Sequence, residues 1–296
     1  MRSSDPVFPP ELERCIFEIC AHQSPVLITK LMLVAWRVKE WLEPILYRTI
    51  LLGYTNPCPY GYPVSSFLSG VIHDSRGKSR ERFRHSCRNL LVLHCDQWEQ
   101  ILEGCCRLEN LYLCGSSQNT GHSSDLSAVV PMLKRLHMDN LPHPLLSSPG
   151  SSHTVFPHLT HLEILGVSYP RPLDEIYLSS ITSLPQLTHL SFNHQDLEDI
   201  FLSILQNCLQ LQVLLHFDGK RDRPFADEDS LVKDVRFVVC RVDYLQDWNW
   251  VEDWLMGVDS EIDYWCRAER FIAKRRAGEI DASIFTIARD EWYSSA

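Results

Sequence analysis

The sequence predicts an α/β chain in three parts: a short amino-terminal helical module, an array of parallel strands backed by helices, and a helical cap at the carboxyl terminus. Three observations predict it. Near the amino terminus Leu12, Ile16, Ile19 and Cys20 recur at the spacing of one buried helix face. An L-x-x-L-x-L pattern then repeats at start-to-start intervals of 18, 25, 26, 28, 24 and 24 residues, close to the roughly 20–29 residues of leucine-rich repeats. From Asp243 the composition turns acidic and Trp-rich. The expected boundaries are 1–47 for the module, 48–242 for an irregular leucine-rich-repeat solenoid, and 243–296 for the cap.

The 296 residues are 45% hydrophobic and 22% charged, enough for one small module joined to a larger domain and too apolar for a disordered chain. A formal charge of −10 and a pI near 5.7 argue against nucleic acid and membrane surfaces as partners, because phosphate-driven binding needs a basic face. The eleven cysteines are odd in number and scattered, several inside apolar runs (Cys20, Cys95, Cys114, Cys240), and read as reduced core residues. Cys105 and Cys106 lack a second pair or histidines at zinc-ligand spacing, so no metal or cofactor is expected. Met1 to Pro10 has no apolar signal core, and no apolar run reaches the roughly 20 residues that span a bilayer. The expected location is cytoplasmic or nuclear.

In the module, Pro10 is placed for a first helical turn, and Gln23-Ser24-Pro25 ends that helix. Thr29 is expected to cap a second apolar segment containing Leu31, Leu33, Val34 and Val38. Trp41, Leu42, Leu46 and Tyr47 form a third, with Pro44 restarting the chain. Three helices in so short a stretch make a very small core. Two readings are open for Ile16, Ile19 and Val34: they fill that core, or they stay exposed and hold a partner.

The segments Phe8-Pro9-Pro10-Glu11-Leu12, Ile16-Phe17, Leu31-Met32-Leu33-Val34 and Trp41-Leu42-Glu43-Pro44-Ile45-Leu46-Tyr47 resemble the F-box-like proteins abundant in mushroom-forming fungi. Asp243-Tyr244-Leu245, Asp247-Trp248, Trp265 to Phe271 and Arg275 to Asp281 look like the carboxyl-terminal end of the same proteins. F-box modules dock on the adaptor subunit of cullin-RING ubiquitin ligases. The resemblance therefore implies a three-helix F-box-like head whose apolar docking face is Pro10, Leu12, Ile16, Leu31 and Val34. The implied partners are the ubiquitin-ligase adaptor subunit with its cullin complex, and a protein target of unknown identity.

The repeats begin at Leu90-Leu93-Cys95 and continue as Leu108-Leu111-Leu113, Leu133-Leu136-Met138, Leu159-Leu162-Ile164 and Leu187-Leu190-Phe192. Weaker units follow at Leu211-Leu214-His216 and Val235-Val238-Cys240. A further strand is expected at Arg48 to Leu52 and a helix at Ser65 to His73. Apolar stretches around Ile101, Ile181 and Ile204 are expected as helices on the convex side, with the parallel strands on the concave side. Positions four and six of each strand point inward, so positions three and five face the concave surface. That surface would carry His94, Asn110, Tyr112, Arg135, His137, His161, Glu163, His189 and Ser191. It reads either as a recognition strip for a partner or as an ordinary solvated sheet face.

A metal site from His137, His161, Glu163 and His189 is disfavoured, because strand neighbours do not by themselves converge tetrahedrally. No nucleophile elbow, phosphate loop, dinucleotide-binding glycine pattern or H-E-x-x-H occurs, so no enzyme is expected. The basic run Arg76, Lys78, Arg80, Arg82, Arg84 and Arg88 suits a solvated loop, an acidic partner or an import signal. A helix is expected over Ser260 to Arg276, capped by Asp259 or Ser260. Lys274-Arg275-Arg276 would complement its dipole before Gly278. The expected function is a protein-interaction adaptor, the substrate receptor of an SCF-type ligase; the alternative is a repeat-only scaffold with no ubiquitin role.

Overall fold

The computed structural model describes residues 8–53, 62, 77–93, 101–102, 104–114, 130–138, 156–165, 175–193, 198–218, 232–241, 250–260 and 262–287. The helix expected at 65–73 lies outside the described residues, as do His94, Cys95, Arg76, Trp248 and Asp243 to Leu245. The chain divides into two compact units, Met1–Met132 and Leu133–Ala296.

In the first unit α1 (Pro10–Gln23) begins with Pro10 in its first turn, where a missing N–H matters least, and with Glu11 and Glu13 at the positive end of the helix dipole. It stops at Ser24 because a proline follows. A 3-10 turn, Pro25–Leu27, leads into the single-turn α2 (Ile28–Leu31), and Thr29 sits inside that turn instead of capping it. α3 (Trp36–Leu46) buries Val38, Leu42 and Leu46 along one stripe. The restart expected at Pro44 is corrected. The helix runs through this residue, which lies exposed in the last turn and has no N–H to offer the carbonyl of Glu40, itself an exposed residue.

Tyr47 and Arg48 turn the chain into β1 (Thr49–Leu52), the strand expected there. It pairs in parallel with β2 (Asn89–Leu93), which pairs in parallel with β3 (Asn110–Cys114). α4 (Lys78–Ser86) packs on α3: Phe83 meets Tyr47 edge-on at 6.2 Å, and Arg82 pairs with Glu43. Gly53 ends β1 at φ +89°, where an added Cβ would lie 1.8 Å from the Leu93 carbonyl oxygen. The strand ends can approach this closely because residue 53 has no side chain.

The register of β2 differs from the expected one. Leu90 pairs with Leu111 and Val92 with Leu113, so Leu90 occupies repeat position four and the unit reads Cys87-x-x-Leu90-x-Val92. The face opposite the leucines therefore carries Asn89 and Leu91 in this strand.

In the second unit β4 (Arg135–Met138), β5 (His161–Ile164), β6 (His189–Phe192), β7 (Val213–Phe217), β8 (Phe237–Cys240) and β9 (Thr286–Ile287) lie parallel in sequence order. Leu136, Leu162, Leu190 and Leu214 stand in register, one per strand. Their face packs against α5 (Glu175–Thr182) and α6 (Glu198–Asn207), which bury Ile181, Phe201, Ile204 and Leu205. Phe201 lies 5.8 Å from Phe192 and 5.4 Å from Phe237, ring to ring. In β8 it is Phe237 that pairs with Leu214, one residue earlier than the expected Val238. Such a one-residue slip exchanges the two faces of a strand.

The opposite face is covered too. α7 (Trp250–Ser260) precedes α8 (Tyr264–Arg276), and Tyr264, Trp265, Ala268, Phe271 and Ile272 of α8 pack on Val213, Leu215, Phe217, Val238, Cys240 and Ile287. α8 starts four residues later than expected. Its cap is Asp263, whose carboxylate accepts from the Cys266 N–H at 3.1 Å, while Asp259 and Ser260 belong to α7. Its end matches the expected glycine cap: Gly278 (φ +75°) donates to Arg275 and Glu279 to Lys274, which satisfies two terminal carbonyls. Arg275, in the last turn where cations were expected to complement the dipole, is buried. It donates to the carbonyls of Ile284, Phe237 and Val235 and lies over the rings of Phe285 and Phe271.

Candidate functional site

The first unit presents an apolar face on its helical module. Of the 14 residues of α1 only Ala21 is buried. Leu12 is 54% exposed and Ile16 47%, with Ile19 one turn on and Phe8 just before the helix also exposed. Val26 and Leu27 are exposed too, as are Leu33 (86%) and Val34 (64%) in the turn after α2 and Trp36 (67%) at the start of α3. Pro10 is exposed and Leu31 half-buried. Ile16, Ile19 and Val34 are all exposed and do not fill the module's core. Leu33 and Trp36 are the residues pattern reading missed: Leu33 was placed in a helix, although it follows α2 in a turn. Arg37 clamps α3 to α1 by a forked ion pair with Glu13, at 2.8 and 3.0 Å. The clamp fixes the helices while leaving their apolar side chains outward.

On the strip face of the first unit, Asn89 donates to the Thr49 hydroxyl (2.9 Å) and Asn110 donates to the Asn89 side-chain carbonyl (2.7 Å), a polar ladder with one rung per strand. Asn89 was not foreseen, because the β2 register was set three residues away. Tyr112 is buried.

In the second unit the predicted strip residues do come together, but beneath α8. The expectation of a solvent-facing surface is corrected at His137, Glu163, His189 and Ser191, all buried, while Arg135 and His161 are partly exposed. His137 Nδ1 lies 2.5 Å from Glu163 Oε2, and the Tyr264 hydroxyl donates to the same oxygen at 2.9 Å. Arg135 donates to the Asp263 carboxylate at 2.7 Å. His161 and His189 stack with ring centroids 4.1 Å apart and planes 9° from parallel, and Trp265 stands edge-on to each at 5.5 Å. The Thr160 and Thr188 hydroxyls each meet the Nδ1 of the following histidine at 2.8 Å, and His189 Nε2 reaches Glu269 Oε1 at 2.9 Å.

Burial, then the neighbouring His189, Arg135 and His137, push the His161 imidazole well below its ordinary value. The hydrogen bond from His189 holds the Glu269 carboxyl below the usual range. Asp253 of α7, which pairs with Arg267 and accepts from the Tyr264 N–H at 2.9 Å, is pushed up to about 6 by burial. Among the described residues no group of three or more His, Cys, Asp or Glu side chains is placed to hold a metal ion. Arg135, His137, Glu163 and His189 bond one another or α8, whereas the buried Ser191 hydroxyl has no hydrogen-bond partner among the described residues.

No protein-family model matches the sequence, and no curated protein matches it.

A signal for the covered face was present in the sequence. Positions three and five of the Leu211 repeat are Val213 and Leu215, apolar where an open recognition face would be polar, and both are buried under α8. No helix among the described residues is long and apolar enough to cross a membrane.

Proposed function

We propose that the chain is a protein-interaction adaptor, the substrate receptor of a cullin-RING ubiquitin ligase. Its F-box-like head would dock on the ligase adaptor subunit, and a leucine-rich-repeat-like array would carry the target-binding part. The observation that carries the reading is the apolar face of α1 to α3. Its residues coincide with those the F-box resemblance selects, Pro10, Leu12, Ile16, Leu31 and Val34, and four of the five are exposed. Burying an exposed Leu, Ile or Val side chain releases roughly 1.5–3 kcal/mol before the costs of association. A face of this kind is where a partner gains most. The in-register leucines of β4 to β7 and the Asn89 to Asn110 ladder support a repeat array.

A second reading has its own observation. Glu43 of α3 pairs with Arg82, and Tyr47 packs on Phe83, so the helices also cover α4. That arrangement suits a repeat-only scaffold whose helices are a terminal cover.

Co-elution separates the two. Full-length protein mixed with the purified adaptor subunit is expected to elute as one complex, and Leu12→Asp with Val34→Asp to abolish it while keeping the monomer's circular dichroism. Absence of a complex with the unaltered chain overturns the receptor reading. An aggregated array on deletion of residues 1–47, together with no complex, favours the scaffold.

A further inference from the structure

His161 differs from the ionisable side chains around it because each nearby carboxylate already has a partner. From β4, Arg135 holds Asp263 of α8, and His137 holds Glu163 of β5, which also accepts from Tyr264. From β6, His189 holds Glu269 of α8. From α7, Asp253 is taken by Arg267 and the Tyr264 N–H. Among the described residues, His161 itself bonds the Thr160 hydroxyl. A proton on its ring would place a cation against His189, at 4.1 Å between ring centroids, and beside Arg135, under the edge of Trp265.

The stack follows from sequence. Leu-Thr-His-Leu occurs at 159–162 and again at 187–190. Parallel pairing brings His161 and His189 directly opposite each other, and neighbouring strands lie about 4.8 Å apart.

α8 grips the sheet in two ways. Asp263, Tyr264, Trp265 and Glu269 engage the polar strands β4, β5 and β6. Ala268, Phe271 and Ile272 belong to the apolar floor formed with β7, β8 and β9, which Tyr264 and Trp265 also share. The first grip is titratable and the second is not.

We infer that this is an acid-operated latch: protonation of His161 frees the amino-terminal turns of α8 from β4 to β6 while Phe271 and Ile272 stay seated, uncovering His137, Glu163, His189 and Ser191. The latch turns a closed polar strip into an accessible one, and it does not rest on the ligase reading. The direction follows from linkage. The seated imidazole binds a proton less readily than a released one, whose value is near 6.5. His161 therefore favours release as pH falls below that value, by about tenfold per pH unit until the seated ring itself protonates, while Asp253, raised to about 6 and bonded to the Tyr264 N–H, opposes release below that point.

Hydrogen exchange of the full chain between about pH 5 and pH 8, corrected for the intrinsic pH dependence of amide exchange, tests the latch. In Asp253→Asn, where the opposing proton uptake of Asp253 below about pH 6 is removed, opening of residues 262–270 is expected to rise about tenfold per unit below pH 6.5, with 271–276 unchanged. His161→Gln, which stays neutral, should flatten the response. A flat response in Asp253→Asn, or the same slope once His161→Gln is added to it, overturns the proposal. If that variant does not fold, an NMR titration of the unaltered chain decides: His161 must titrate below 6.5 together with the Trp265 indole signal, and titration at or above 6.5 overturns it.

Discussion

The Tyr264 hydroxyl donates to Glu163 across 101 residues of sequence, at 2.9 Å, and both groups are buried. This bond joins the first turn of α8 to the middle of β5. Because its acceptor is a buried carboxylate, Tyr264→Phe should destabilise the second unit by about 1.5–3 kcal/mol. Urea unfolding followed by Trp fluorescence measures it, and a loss below about 0.5 kcal/mol would show that the contact is idle.

Two glycines with positive φ should respond differently to one methyl group. At Gly53 an added Cβ meets the Leu93 carbonyl at 1.8 Å, whereas at Gly77 (φ +72°) nothing lies within 4 Å. Gly77→Ala should cost only the left-handed strain of about 1–2 kcal/mol. Gly53→Ala should cost clearly more, because β1 and β2 must separate. Paired thermal melts give the comparison.

Arg275 satisfies the carbonyls of Ile284, Phe237 and Val235 from a buried position. Arg275→Lys keeps the charge but loses the planar fork and the ring contacts with Phe271 and Phe285. A loss of at least about 2 kcal/mol is expected. A melting temperature matching the parent would mean that the guanidinium is dispensable.

How far the fold was legible depended on alternation. β4 to β7 were found because single leucines at fixed offsets set their phase, as in Leu159-Thr160-His161-Leu162. Leu90-Leu91-Val92-Leu93 and Phe237-Val238-Val239-Cys240 are apolar throughout and buried at nearly every position. A continuous apolar run has no phase to read, so β2 was set three residues off and β8 one. The apolar stripe Leu12, Ile16 and Ile19 of α1 was legible from helical spacing, which read it as buried; its exposure was not, since period alone does not say which apolar stripe finds a partner within the chain. The cover over the strip was missed because contacts such as Arg135–Asp263 join residues 128 apart, which no local pattern encodes.

Asp253 should leave a signature opposite in sign to that of His161. Its folded value, about 6 against an ordinary 3.8, means that the folded chain holds a proton between those limits that the unfolded chain releases. This group therefore adds stability as pH falls through about 6 and removes it as pH rises through the same point. Asp253→Asn, permanently neutral, should lose that slope. Urea midpoints between about pH 4 and pH 8 for the parent and the variant would expose an error if the two curves ran parallel.

Leu33 and Trp36, among the most exposed apolar residues of the helical module, should matter for partners and not for folding. Leu33→Ala and Trp36→Ala are expected to shift stability by less than about 0.5 kcal/mol. Each should weaken adaptor binding by at least about tenfold, as a buried anchor does. A clear drop in melting temperature without a change in binding would move both residues from the docking face to the module's own packing.

The most direct test of the docking face is a calorimetric titration of the purified ligase adaptor subunit into the full-length protein. Saturable binding is expected for the unaltered chain and none for Leu12→Asp with Val34→Asp at unchanged helix content. No heat with the unaltered chain, or equal affinity in the double variant, would contradict the account.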